Sequence, residues 1–113
     1  MFRVTRWGWW NEPRDERELV RLELVGLAAE VAAVAEHAQG TLPPEGASAR
    51  SDNLRARWRS YRESAHQVLA TDASLDNLSL PELRVAVESL RGLQRKAARL
   101  RIRTEFATDT LIG

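Results

Sequence analysis

A chain of 113 residues with 43% hydrophobic and 29% charged side chains has the composition of one folded domain rather than of a disordered segment. It contains no cysteine, which excludes disulfides, thiolate metal sites and thiol catalysis. The formal charge is only +1, so any field that selects a partner must come from how the charges are distributed, and nearly all the cations are Arg, with Lys96 the one Lys.

Residues 1–12 read as an N-terminal arm. Phe2 and Val4 alternate with Arg3 and Thr5 over too few positions to define a strand, and Trp7, Trp9 and Trp10 add apolar surface that needs cover. The arm lacks the apolar run and small-residue cleavage site of a secretory signal. The most apolar stretch, residues 19–35, is interrupted by Arg21, Glu23 and Glu30, which argues against a membrane span. A cytoplasmic location is the expectation.

Pro13 in a first turn, followed by Asp15, Glu16 and Glu18, starts a helix where the macrodipole favours negative charge. The spacing predicts a first helix over 13–39, stopped by Gly40. Val20, Leu24, Leu27, Val31, Val34 and Ala38 form a four–three seam, and Glu16, Glu23, Glu30 and His37 recur every seven residues along its flank. Between Leu24 and Ala35 only Glu30 is polar. A helix so apolar round its girth needs cover on several sides.

Residues 40–50 read as a loop on their Pro and Gly content, with Ser51 or Asp52 as the cap of a second helix over 51–71. Its seam is Leu54, Trp58, Tyr61, Ala65 and Val68. Residues 72–79 read as a polar connection. Ser79 and Glu82 have capping-box spacing, with Pro81 in the first turn. They open a third helix over 80–104 with Leu83, Ala86, Leu90, Leu93, Ala97 and Leu100 as its seam, and residues 105–113 read as an irregular tail. The expected fold is all-α, one domain over 1–113, an up-down-up three-helix bundle with left-handed, coiled-coil-like seams.

That topology sorts the charges. Residues 12–39 hold seven acids against three Arg, residues 50–62 hold five Arg against Asp52, and residues 91–103 hold six cations and no acid. The start of the second helix and the end of the third share a pole, so eleven cations collect there. Arg57 is expected near Glu30, whereas Arg84, Arg91, Arg95 and Arg99 fall on an outer side of the third helix with no predicted partner. A solvated charged face is one account of the run. Phosphate-backbone contact through Arg55, Arg59, Arg62, Arg91, Arg95, Lys96, Arg99 and Arg103 is the other.

Two further motifs have weaker support. Glu63-x-x-His66 has the spacing of a carboxylate-bridged di-iron helix, but a full site needs more carboxylates and a second His, and His37 is expected towards the opposite end of the bundle. Arg59 and His66 loosely resemble the Arg-and-His ribonuclease motif of HEPN helical domains, with Ser60 after the Arg and the rest of that pattern missing. No enzyme activity, cofactor, small-molecule substrate or membrane role is expected. The first functional reading is a non-catalytic assembly or adaptor subunit, self-associating or bound to a protein partner. Its candidate surface is Trp7, Trp9, Trp10, Leu22, Val25, Ala29, Ala32, Phe106, Leu111 and Ile112. The alternative is nucleic-acid binding at the Arg pole, and a metal-binding bundle is a weaker third.

Overall fold

The computed structural model describes residues 13–70, 75 and 77–112, with side chains described for 16–70, 75 and 77–106. It is a three-helix bundle of α1 (Pro13–Thr41), α2 (Ala49–Ala70) and α3 (Leu80–Ile112). No strand occurs among the described residues, and no described helix is long and apolar enough to cross a membrane. The Trp arm lies outside the described residues.

Side-chain pairs fix the directions of the helices. Glu16 bonds Arg84 and Glu23 bonds Arg91, a constant offset of 68 residues, so α1 and α3 run parallel. Arg62 Nε donates to Glu36 at 3.2 Å while Arg55 reaches the carbonyls of Gln39 and Pro43, so α2 runs the other way. Both later helices pack on α1 far more than on each other. The apolar girth of α1 makes it the common wall of the bundle.

The core falls into two halves. In one, Leu24, Ala28, Val31 and Ala32 of α1 meet Ala65 and Leu83, Val87 and Leu90. In the other, Ala35, Ala38 and Leu42 meet Leu54, Trp58, Ala97 and Leu100. Trp58 is fully buried, and its indole N–H donates to Thr104 Oγ1 at 2.9 Å. Thr104 in turn donates to Leu100 O at 2.8 Å, so neither buried polar group is orphaned.

The observed elements depart from the sequence expectations in four places. The α1 spine is Leu24, Ala28, Val31, Ala35 and Ala38, while Val20, Leu27 and Val34 sit half-buried beside it. The small Ala28 and Ala35 lie where α2 and α3 close over α1, and a pattern that rewards large side chains passes over them. Gly40 does not stop α1. The helix continues to Thr41, whose hydroxyl bonds Ala38 O at 2.8 Å, and ends because Leu42 turns into the core ahead of Pro43. The cap of α2 is Ser48, whose Oγ accepts the Ser51 N–H at 3.1 Å, while Asp52 Oδ1 accepts the Gly46 N–H at 3.0 Å and holds the loop. Gly46 has φ +88°, a conformation glycine supplies without Cβ strain.

The largest departure is the tail. Residues 105–112 continue α3, because nothing from Thr104 to Ile112 breaks a helix and Arg101 pairs with Glu105 at 3.3 Å. At about 1.5 Å per residue the helix runs on for roughly 12 Å past the buried Thr104.

Candidate nucleic-acid interface

The structure divides the basic residues by whether a carboxylate or carbonyl answers them. Four of the arginines expected to meet phosphate are engaged internally. Arg55 bonds the Gln39 and Pro43 carbonyls and ties α2 to the loop. Arg59 lies 3.7 Å from Glu45, and Arg62 bonds Glu36. Arg91 pairs with Glu23 and, at 3.1 Å, with Glu88; the Glu23 carboxylate accepting from it raises the Arg91 pKa further above its usual range. Arg84, expected to lack a partner, pairs with Glu16. The corrections at Arg84 and Arg91 share one cause: the heptad of acids on α1 faces α3 rather than α2. Glu30 accordingly accepts from Gln94 Nε2 at 2.9 Å and does not meet Arg57.

Arg50, Arg57, Arg95, Lys96, Arg99 and Arg103 make no ion pair with any described residue. Five of them line one groove. Its α2 wall is Arg50, Asn53, Leu54, Ala56, Arg57 and Tyr61, and its α3 wall is Lys96, Arg99, Leu100, Arg103 and Phe106. Among the described residues no carboxylate lines it, and no residue of α1, which carries Glu16, Glu23, Glu30 and Glu36, lines it either. The groove is the side of the bundle that α1 does not touch, so topology separates the two signs of charge. From Arg50 to Tyr61 it runs along α2 for about 16 Å at the helical rise. On the next flank of α2, Glu45 and Asp52 share a shallow pocket with Arg55 and Arg59, so the sign bias is confined to one side of that helix.

Of the expected phosphate contacts, Lys96, Arg99 and Arg103 lie in the groove. Arg95 is exposed beside it. Arg50 and Arg57 were missed as contacts. The signal for them was available: they are seven apart, and with Asn53 and Leu54 they mark one side of α2.

The candidate protein surface is narrower than its residue types suggested. Ala32 is buried in the core and Val25 is half-buried against it, so neither is free for a partner. Leu22 is 54% exposed, Ala29 is exposed, and Leu19 beside them is 66% exposed. Phe106 is 69% exposed and belongs to the groove instead. Trp7, Trp9 and Trp10 lie outside the described residues, and the Leu111 and Ile112 side chains are likewise not described.

The metal and ribonuclease patterns do not converge on a site. His66 Nε2 lies 3.7 Å from Glu36 and Arg59 faces Glu45, so the two residues have separate partners. His37 is not at the far end from His66, since its neighbour Glu36 reaches that ring; it faces a different groove, between α1 and α3, with Arg101 and Glu105. No cluster of three or more possible ligands occurs among the described residues. No family model, curated protein or solved structure matches the chain.

Proposed function

We propose that the protein is a non-catalytic helical binding subunit that holds nucleic acid by its phosphate backbone in the α2–α3 groove. One observation carries this reading: among the described residues, Arg50, Arg57, Lys96, Arg99 and Arg103 share a groove with no carboxylate, and none has an ion-pair partner. A cation held without a counter-ion contributes little to the fold and attracts a polyanion. Phosphate contact of this kind positions a ligand without reading its sequence.

The test is fluorescence anisotropy with labelled oligonucleotides over a series of salt concentrations. Binding weakens with salt, and each groove cation removed lowers the logarithmic salt slope by about 0.7 to 0.9. Arg99→Gln with Arg103→Gln weakens binding at low salt, whereas Arg84→Gln, outside the groove, does not. Absence of binding at low salt removes the reading.

A second reading has its own observation. Leu19 and Leu22 are 66% and 54% exposed on the outer side of α1, and the adjacent Gly26, Ala29 and Ala33 are exposed too. An apolar stripe at that spacing suits protein contact, as expected of an assembly or adaptor subunit. Light scattering across a concentration series, compared between the parent chain and Leu19→Ser with Leu22→Ser, tests self-association. A strict monomer removes that version.

A further inference from the structure

We infer that the outer face of α1 takes a second copy of the chain, packed antiparallel with leucine set against small residue. This rests on the protein-contact reading of that face above and adds the partner, its direction and its register. Leu19 and Leu22 are 66% and 54% exposed, and Gly26, Ala29 and Ala33 continue the exposed line at three–four spacing. That is the seam of a left-handed helix pair, repeated on the side of α1 opposite its own core residues Leu24, Ala28, Val31 and Ala35. Gly26 gives an independent sign. It lies inside the helix, where glycine is a poor helix former. Its φ is not positive, and no described atom lies within 4 Å of where a Cβ would stand. One copy has no use for a glycine there, whereas a closely approaching helix does.

The stripe complements itself in one direction. Its first half is large, Leu19 and Leu22, and its second half is small, Gly26 and Ala29. Run antiparallel, two copies set Leu19 of one opposite Ala29 of the other and Leu22 opposite Gly26, and the two-fold repeats both layers. Each layer then holds one large and one small residue, as close packing requires. Run parallel, leucine meets leucine at one end and glycine meets glycine at the other, which leaves a gap. The charges agree. On the α3 edge of the stripe Glu16 and Glu23 sit with Arg84 and Arg91, so two copies can exchange ion-pair partners there rather than repel. Glu30, held by Gln94 with no cation beside it among the described residues, comes level with Glu16 and its Arg84 on the other copy.

An unrelated amphipathic helix would need apolar anchors alone. The matched halves of the stripe and its mixed-charge edge favour the chain's own copy. From Leu19 to Ala33 the face is about 21 Å long, less than the roughly 800 Å² per partner of a stable complex would need. The dimer is accordingly weak, dissociating at about 10 μM to 1 mM. No residue of α1 lines the α2–α3 groove, so pairing through α1 leaves both grooves open on opposite sides. A ligand long enough to reach both would meet the second at high local concentration.

The experiment is sedimentation equilibrium of the full chain up to about 1 mM, with thiol cross-linking to read the register. The chain has no cysteine, so a single introduced thiol reports its own contacts. The parent shows a monomer–dimer equilibrium, and Leu22→Ser weakens it at least about tenfold. Gly26→Gln also weakens the dimer at least about tenfold, yet raises the thermal midpoint of the dilute monomer by a few degrees, because Gln is the better helix former. Under mild oxidation, mixed Leu19→Cys and Ala29→Cys chains cross-link at least about fivefold faster than either variant alone. Cross-linking as fast within one variant as between the two, or a Gly26→Gln chain that dimerises as the parent does, overturns the inference and leaves self-association through the stripe standing. A parent that stays monomeric, or a dimer indifferent to Leu22→Ser, removes that self-association reading too. A monomer whose thermal midpoint falls on Leu22→Ser shows the stripe to be covered by the chain itself, and likewise overturns the inference.

Discussion

The two halves of the bundle are built on the same helices but use arginine differently. In the Leu24 half, Leu24, Leu83, Val87 and Leu90 fill the core, and Arg17, Arg21, Arg84 and Arg91 round it are answered. Arg84 and Arg91 bond Glu16 and Glu23, and Arg17 donates to Leu78 O at 2.9 Å through Nε, closing the α2–α3 connection onto α1. In the Trp58 half, Ala35, Ala38 and Ala97 let the helices close round one indole; Arg55, Arg59 and Arg101 there are answered, but Arg50, Arg57, Lys96, Arg99 and Arg103 face a groove with no carboxylate among the described residues. An arginine that is answered belongs to the fold, and one that is not is available to a ligand. Loss of stability and loss of binding should therefore separate by position.

The sharpest way to break that contrast is at Trp58. Trp58→Ala empties the centre of its half and removes the bond to Thr104, so it lowers stability by about 3 to 5 kcal/mol in chemical denaturation. A loss below about 1 kcal/mol would mean that this half is not packed as described. Arg17→Met comes next. It strips a charged donor from the Leu78 and Leu75 carbonyls, and about 1 to 3 kcal/mol is the expected loss. Amide exchange of Leu78 and its neighbours should accelerate before that of α2. If global unfolding is unchanged, the clamp is ornamental.

The ladder along α1 and α3 is smaller still. A double-mutant cycle on Glu16 and Arg84 should give a coupling of no more than about 1 kcal/mol, falling with salt, because both side chains are about half exposed. Arg99→Gln, in the groove, should change stability by less than about 0.5 kcal/mol while changing binding. If Arg99→Gln destabilised as much as Arg17→Met, the distinction between answered and unanswered arginines would collapse.

Much of this was legible in the residues. The number of helices, their order and the seams through Leu24, Trp58 and Leu83 follow from periodicity, since burial selects one face of each helix. The capping box at Ser79 and Glu82 was legible because its two residues answer each other locally. The partner of the acidic heptad was not. Glu16, Glu23 and Glu30 can face either neighbour, and only the packed rotation of α1 directs them to Arg84, Arg91 and Gln94. That rotation also decides which cations remain for the groove, which is why Arg50 and Arg57 were missed and Arg62 and Arg91 misassigned. Leu42 and Leu75 were hidden differently: they are core residues placed in connections, where no period marks them.

The smallest effect isolates a single group in the answered half. At the start of α3 the Ser79 N–H donates to Glu82 Oε1 at 2.8 Å, and the Glu82 N–H donates to Ser79 Oγ at 3.3 Å. The Ser79 backbone donor first, and its hydroxyl second, hold the Glu82 carboxyl below its ordinary value of 4.5. A depressed carboxylate pKa means that protons bind the unfolded chain more readily. The stabilisation is fully present above the unfolded pKa and is lost as pH falls through the folded one. Glu82→Gln keeps an acceptor but cannot titrate. The stability difference between parent and Glu82→Gln should therefore be constant from neutral pH down to about 5 and shrink below 4.5, as read from denaturation midpoints across that range. A difference independent of pH would show that the cap works without its charge. Because Glu82 lies at the far end of the seam from Arg99 and Arg103, this variant should leave the salt slope of nucleic-acid binding untouched at every pH. A change in slope would mean that the two halves do not act separately.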